Sequence, residues 1–360
     1  MPRLRNFALV AGVAALTIYA MVVGQAILLP LVVSVAVWYL INVLAHSLRR
    51  VPLLRLPRRL CLAFAVILFL GLAWMVGDMV ASNLGAIATA LPAYEPRLDA
   101  VVRSATGWFG LDEPLGLAEV IGGFDIKTLA SRTAAALASV ASNAGLVLIY
   151  VLFLLLEQGG FERKLAALFR NPEKEAEAKA LLAKIGYDLQ TYMRIKLLLS
   201  LLLALYGFLV LQVLAVDFAG FWAALIFLFN FIPTIGWIVS LTGPALFALL
   251  QFDDITPFLV VSLGIGVVQV AVNNFVEPAL MGRSLNLSPF VIILSLVVFG
   301  TLWGLVGMVL SVPIMVAVLI VLAHFRKTRG LAVLMSANGE ISDQEVDSPP
   351  ATRRARQAET

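Results

Sequence analysis

The 360-residue sequence has few of the side chains that most enzymes use for metal or nucleophilic chemistry. It contains one cysteine, Cys61, and two histidines, His46 and His324, which lie far apart in the chain. A single cysteine excludes an intramolecular disulfide framework and thiolate metal clusters. Haem, zinc and Ser-His-Asp chemistry therefore lack convincing ligands, and no cofactor is expected.

Charge is also scarce. Asp, Glu, Lys and Arg make up 13% of the chain, 61% is hydrophobic, and the mean hydropathy is +0.97. Soluble domains carry about 25% charged residues, so the composition indicates a membrane protein. At about 20 residues per helical crossing, the apolar length allows about six to nine segments. Uninterrupted apolar runs exclude an outer-membrane barrel, whose strands would alternate, and the predicted fold class is all-α polytopic.

The basic residues are distributed so that they indicate orientation. Residues 46–59 carry five arginines and no acid, and residues 157–196 carry eight Lys or Arg. A third basic cluster, Arg326, Lys327 and Arg329, precedes the polar C-terminal tail. The positive-inside rule places all three clusters, and both termini, in the cytoplasm. The net charge of +4 is thereby explained by topology, and no nucleic-acid partner is expected.

Apolar and polar stretches divide the chain into six predicted segments. The apolar run from Phe7 to Ala45 measures roughly 58 Å as one helix, so we expect a hairpin of two spans. An Ala/Ser-rich helix later in the chain favours close packing, either internally or between subunits. The segments are N-terminal transmembrane helices (1–81), an extracytoplasmic amphipathic helical segment (82–131), a transmembrane helix (132–156), a cytoplasmic helical segment (157–196), a C-terminal transport core (197–325) and a disordered cytoplasmic tail (326–360).

The predicted core contains one overlong apolar run at 218–251. As a straight helix it would measure roughly 51 Å, against a hydrocarbon core of about 30 Å. Pro233 and Gly236, which follow Asn230, mark the obvious break, because proline lacks a backbone donor and glycine relaxes the backbone. We expect a hairpin that enters and leaves on one face of the membrane, with a kink in one tilted helix as the alternative.

A polar stripe follows on the next apolar element. Gln269, Asn273 and Glu277 are spaced by four and would align on one helical face, with Asn274 one residue aside and Pro278 directly after. An acid inside an apolar block suggests an ion or substrate path. The alternative places Glu277 at the cytoplasmic interface, paired with Arg283 through a bend at Pro278 and Gly282.

The last apolar run, 289–322, is again too long for one straight crossing. Gly300 and Gly304 interrupt it, and their spacing is also compatible with close helix packing. Length favours a hairpin or a strong kink. Two broken elements of equal length resemble the inverted repeats of secondary transporters, whose sites lie where discontinuous helices meet.

These motifs resemble one known family. The strings FIPTIG at 231–236, NNFVEPALMG at 273–282, LSP at 287–289 and GTLWGLVGM at 300–308 are similar to those of the autoinducer-2 exporter family. The resemblance implies a bacterial inner-membrane permease of about eight segments that moves small solutes out of the cell. Some members export autoinducer-2 and others exchange sodium for protons. The positions carried over are Pro233, Gly236, Asn274, Glu277, Pro278 and Gly282.

Together these features predict a transporter rather than an enzyme. No P-loop, HExxH or GxSxG motif is present. We expect export of a small polar solute across the bilayer by a homo-oligomer whose subunit number the sequence does not encode. Glu277 would couple transport to H+ or Na+, and a passive oligomeric pore or a sodium/proton antiporter is the alternative. The transport path is predicted to include Asn230, Pro233, Gly236, Gln269, Asn273, Asn274, Glu277, Pro278, Gly282, Gly300 and Gly304.

Overall fold

The computed structural model describes residues 12, 15–50, 57–108, 144–169, 171–282 and 286–339, and every regular element in these ranges is helical. Five helical stretches are long and apolar enough to cross a membrane, and three shorter helices are also apolar. The predicted all-α polytopic fold class is thereby confirmed. The helices are α1 (Gln25–Arg50), α2 (Arg58–Trp108), α3 (Ala144–Glu157), α4 (Phe161–Leu168), α5 (Pro172–Val213), α6 (Ala219–Phe229), α7 (Ile235–Gln251), α8 (Thr256–Ala271), a π-helical turn (Val272–Val276), α9 (Glu277–Met281), α10 (Pro289–His324) and α11 (Arg329–Met335).

The chain forms two compact units. Unit 1 comprises Met1–Leu29, Leu152–Tyr192 and Met281–Thr360, and unit 2 comprises Pro30–Val151 and Met193–Leu280. Helix α5 begins in unit 1 and continues without interruption into unit 2. Of the predicted N-terminal hairpin, the structure describes a helix over 15–23 and a one-residue turn at Gly24, after which α1 begins. Residues 109–143, where the second predicted segment ends and the third begins, lie outside the described residues.

In unit 2, the apolar run 218–251 is a helical hairpin. Helices α6 and α7 pack against each other, with the rings of Trp222 and Phe247 5.6 Å apart. At the open end the Asp217 backbone N–H donates to Gln251 Oε1 at 2.8 Å, and Gln251 Nε2 donates to the Ala215 carbonyl at 2.9 Å. The two ends of the run therefore lie side by side. The predicted hairpin is confirmed, and the alternative of a kinked single helix is wrong.

The tip of this hairpin depends on a close backbone contact. Thr234 has a positive φ of 63°, and Gly236 lies in the first turn of α7, where it packs against the end of α6. A Cβ atom added to Gly236 would lie 1.8 Å from the carbonyl oxygen of Phe229. Only glycine, which has no Cβ atom, allows the two backbone segments to approach this closely. The predicted break at Pro233 and Gly236 is therefore a turn closed by glycine.

The element after the hairpin departs from a regular α-helix. Between α8 and α9 the backbone forms a π-helical turn, in which the Glu277 N–H donates to the carbonyl of Val272, five residues earlier. Pro278 follows and cannot donate to a carbonyl of the preceding turn, which favours the wider spacing. The predicted four-residue stripe therefore does not continue unchanged from Asn273 to Glu277: the π-helical turn shifts the register between them.

In unit 1, α10 is two helical halves joined by a sharp reversal. Trp303 (φ −131°, ψ 15°) and Gly304 (φ 62°, ψ −146°) are non-helical. A Cβ on Gly307 would lie 2.0 Å from the carbonyl oxygen of Phe299, although eight residues of straight helix span about 12 Å. The chain thus turns back on itself, and the predicted break in 289–322 is confirmed as a hairpin turn.

The predicted disordered tail is corrected over its first part. Residues 329–335 form α11, whose Ala332 is fully buried. The Ser288 N–H donates to the Met335 carbonyl at 2.8 Å, and the Ala337 N–H donates to Asn286 Oδ1 at 3.2 Å. Ala332 is the buried residue of the run 331–334, whereas Leu331 and Leu334 are 55% and 78% exposed. The segment is therefore held by the burial of Ala332 and by these two hydrogen bonds. The rest of the predicted tail, 340–360, lies outside the described residues.

The hairpin turns yield a prediction about glycine. Replacing Gly236 or Gly307 with alanine should lower the free energy of unfolding by about 1–3 kcal/mol or more, because a backbone carbonyl occupies the space and cannot rotate away. Gly264→Ala, inside α8, is the matched control, since an added Cβ would lie 4.0 Å from its nearest neighbours, the side chains of Tyr206 and Val210 on α5. It should be neutral or stabilising by up to about 1 kcal/mol. Thermal unfolding in detergent measures all three, and equal melting temperatures for Gly236→Ala and Gly264→Ala would contradict the close approach.

Candidate functional site

An ion pair lies within unit 2, beside the tip of the α6–α7 hairpin. Lys196 Nζ and Glu277 Oε1 are 2.6 Å apart, and their side chains are only 4% and 15% exposed. Lys196 comes from the middle of α5, and Glu277 is the first residue after the π-helical turn. A charge at this degree of burial costs several kcal/mol unless it is paired. Each of these two charges therefore depends on the other.

The hairpin tip is bonded directly to this pair. Asn230 ends α6, and its backbone carbonyl accepts a hydrogen bond from Lys196 Nζ at 3.1 Å. Its side-chain Nδ2 donates to Ser200 Oγ at 2.8 Å. Lys196 and Ser200 are four residues apart and share one face of α5. The cluster of Lys196, Ser200, Asn230 and Glu277 therefore joins three separate elements; we call it the charged cluster.

A second polar contact lies on the other arm of the hairpin. Gln269 is 2% exposed on α8, and its Nε2 donates to Ser240 Oγ on α7 at 3.2 Å. The Ser240 hydroxyl in turn donates to the Trp237 carbonyl at 3.1 Å. These groups are neutral and satisfy one another. Gln269 therefore ties α8 to α7 without bringing a charge to the site.

The structure brings together only some of the predicted path residues. Asn230, Gln269 and Glu277 are in contact with the elements around the hairpin tip, whereas Asn274 is exposed and donates to the Val270 carbonyl at 2.9 Å. Asn273 and Pro233 are half-buried, Gly236 is buried, and Pro278 is exposed. The other three predicted path residues belong to unit 1. Gly282 and Gly304 are exposed and have positive φ angles of 52° and 62°, and Gly300 packs against Met308.

The structure gives Glu277 a partner that the sequence did not predict. The alternative expectation paired it with Arg283, which lies outside the described residues; the structure pairs it with Lys196. The sequence does not single out Lys196, because this residue ends a polar, lysine-rich stretch and resembles the lysines before it, which are assigned to the cytoplasmic segment. A signal was present: Lys196 shares its helical face with the buried Tyr192, Ser200 and Leu203, and a lysine on a buried face requires a partner.

The other acids of the core lie at the open end of the hairpin. Tyr94 on α2 donates to Asp217 Oδ2 at 3.1 Å, and Arg97 Nη1 lies 3.6 Å from Asp253 Oδ1. Burial, followed by the hydrogen bond and negative charge of Asp217, raises the pKa of Tyr94. A hydrogen bond from the Thr256 side chain lowers the pKa of Asp254. α2 therefore holds the open end with exposed polar contacts, while the buried charge pair is at the tip.

The site offers charge and hydrogen bonding rather than a metal centre. Within the described ranges, no three His, Cys, Asp or Glu side chains gather closely enough to hold a metal ion. Glu277 can carry or release a proton, and Lys196 can neutralise a carboxylate. Non-helical backbone is tolerated inside a membrane only where protein buries it or a wet cavity exposes it. A charged cluster at such a break is well placed to respond to an ion or a solute.

Comparison with known proteins assigns the sequence to a family. A family model described as AI-2E family transporter matches residues 11–327. The AI-2 transport protein TqsA of Escherichia coli is 28% identical over 86% of this chain and 89% of its own length. Provisionally named transport proteins of Haemophilus influenzae and Borreliella burgdorferi are 29% and 26% identical, over 80% and 89% of this chain and 84% and 88% of their own lengths.

The ion pair yields a prediction about stability. Lys196→Met and Glu277→Gln should each lower the free energy of unfolding by about 3–5 kcal/mol, because each leaves a buried charge without its partner. The double variant should lose clearly less than the sum. Chemical or thermal unfolding of the purified protein gives all three values.

A second pair in α5 provides the matched control. Lys179 and Glu175 are also 2.6 Å apart, but their side chains are 44% and 23% exposed. The coupling energy between Lys179→Met and Glu175→Gln should stay below about 1 kcal/mol. Additive losses at Lys196 and Glu277, as at this exposed pair, would show that the buried charges do not depend on each other.

Proposed function

The chain belongs to the AI-2E transporter family, and we propose that it exports a small polar solute across the bacterial inner membrane, driven by a proton or sodium gradient through Glu277. Membership of a transporter family supports a transport role over an enzymatic one. Export, coupling and solute class are the proposal. They rest on the charged cluster and on the arrangement of basic segments along the chain.

The buried Lys196–Glu277 pair is the observation that carries the proposal. Ionisable residues inside membrane segments are expensive, and they are commonly found on ion or substrate paths. Here the pair contacts Asn230, where α6 ends and the chain turns. Discontinuous helices are the elements around which secondary transporters build their sites. A purely structural role would be served as well by apolar side chains of similar volume.

Coupling follows from the charge balance of the pair. When Glu277 is ionised, it neutralises Lys196 and holds α9 against α5. When a proton or a sodium ion neutralises Glu277, the ammonium of Lys196 loses its counter-charge, and its hydrogen bond to the Asn230 carbonyl becomes the remaining tie to the hairpin tip. An ion that changes the charge at Glu277 thus favours a different arrangement of the same elements, which is what coupling requires.

The orientation is proposed from the sequence. Three basic segments place both termini in the cytoplasm, and the family resemblance implies movement of solute outward. The curated name of one relative states AI-2 transport, which belongs to that protein. Large exposed apolar side chains, among them Trp74, Phe153 and Phe290, would face the bilayer or another subunit, in keeping with a homo-oligomer in lipid.

The proposal predicts the behaviour of Glu277→Gln. Solutes that accumulate in deletion cells and are depleted in overproducing cells identify the cargo, and their uptake is then measured in inside-out vesicles with proton and sodium gradients varied separately. Glu277→Gln should remove the dependence on whichever gradient drives the wild type, because glutamine cannot change its charge. Glu175→Gln, which changes a partly exposed acid of α5, should retain this dependence.

The same vesicles distinguish the alternatives. Solute movement at equal rates with and without any gradient in the wild type would indicate a passive pore. Sodium movement against protons with no organic cargo would indicate an antiporter. Undiminished gradient dependence in Glu277→Gln would remove this residue from the coupling mechanism.

A further inference from the structure

Several hydrogen-bond donors of the charged cluster have no partner among the described residues. Of the three donors on Lys196 Nζ, one meets Glu277 Oε1 and one meets the Asn230 carbonyl, and the third has no partner among the described residues. Asn230 Nδ2 uses one of its two hydrogens on Ser200 Oγ. The Ser200 hydroxyl hydrogen has no acceptor within the described ranges. These unused donors belong to three side chains that lie next to one another beside the Lys196 ammonium.

The charge of this cluster depends on one group. Glu277 faces Lys196 of α5, and from the hairpin tip the cluster receives the neutral Asn230. No other described charged side chain forms an ion pair with Glu277; Asp217 and Asp253 flank the far, open end of the hairpin. The cluster is neutral when Glu277 is ionised and carries one positive charge when Glu277 is protonated.

A buried positive charge without a counter-ion is costly, so the protonated state needs an anion. We propose that Lys196, Ser200 and Asn230 form a binding site for the carboxylate of a small monocarboxylate, which binds together with one proton on Glu277. The anion takes the position on Lys196 that Glu277 leaves. This proposal rests on the proposed transport role and names the substrate class of the same site.

The size of the charge selects the class of anion. One ammonium balances one negative charge, so a monoanion restores neutrality while a dianion such as a phosphate monoester would leave a negative charge in a region of low dielectric. A carboxylate has two oxygens and about four acceptor positions, which match the ammonium, the hydroxyl and the amide hydrogen. A neutral diol of the same size offers no counter-charge to Lys196.

The test is equilibrium binding to the full chain in lipid nanodiscs, with no gradient present. Radiolabelled lactate, acetate and benzoate are the probes, and propane-1,2-diol is the neutral match for lactate. In the wild type, affinity for the monocarboxylates should fall by up to about tenfold per pH unit as the pH rises, because each anion binds together with one proton. Each anion bound should take up one proton from a weakly buffered solution. The diol should not compete.

Variants separate the two halves of the site. Glu277→Gln imitates the protonated acid, so it should bind lactate with an affinity that changes less than twofold between pH 5.5 and 8.5 (~3 pH units) and without proton uptake. Lys196→Met combined with Glu277→Gln contains no buried charge and should bind at least about tenfold more weakly. Glu175→Gln should behave as the wild type, because its side chain belongs to the exposed pair.

Several outcomes would overturn the proposal: no monocarboxylate binding by the wild type, binding without proton uptake, or equal lactate affinity in Glu277→Gln and the double variant. The wild-type proton count needs no substitution, so the test survives a variant that fails to fold. Gradient-driven transport of a neutral solute without monocarboxylate binding would refute this inference and leave the proposed function standing. Proton-linked monocarboxylate binding together with gradient-independent transport would refute the proposed gradient coupling and leave this inference standing.

Discussion

The ion pair between Lys196 and Glu277 is the interaction on which the arrangement around the first hairpin depends. Neither charge can stay buried alone, so α5, the hairpin tip at Asn230 and the start of α9 must stay together as long as both residues are ionised. The π-helical turn before Glu277 contributes by changing the helical register just before the acid. Positioning a single carboxylate therefore has consequences for the backbone of three elements.

Both overlong apolar runs solve the same problem in the same way. A run of 34 residues must break inside the membrane, and the broken backbone must be buried by protein. In unit 2 Gly236 lies against the Phe229 carbonyl, and in unit 1 Gly307 lies against the Phe299 carbonyl. Each turn has one residue with positive φ, Thr234 in one and Gly304 in the other. In both turns the missing Cβ of glycine lets the backbone approach a carbonyl this closely.

Hydrophobic length, proline and glycine were sufficient to predict the fold class and the positions of both breaks, because bilayer thickness limits how long an apolar helix can be. They did not decide between a hairpin and a kink at either break. Glu277 was found through the scarcity of charge around it. Its partner was not, because Lys196 follows a run of exposed lysines and only the burial of its helical face distinguishes it. The π-helical turn could not be anticipated from spacing: a four-residue stripe presumes a regular helix, and Pro278 was the single hint that this one is irregular.

The polar groups near the hairpin differ in whether they can respond to a change of charge. Gln269 and Ser240 bond to each other as neutral groups, and no ion or proton alters that bond. At the open end, Arg97 pairs with the carboxylate of Asp253, which is exposed to solvent. Screening by solvent and salt therefore weakens the effect of this pair on the rest of the protein. Among the ion pairs of the described residues, the one between Lys196 and Glu277 combines burial of both side chains with opposite charges. A pair of opposite charges is neutral and stable while both groups are ionised, yet it changes when one of them is neutralised. This property is the physical basis of the coupling proposed for Lys196 and Glu277.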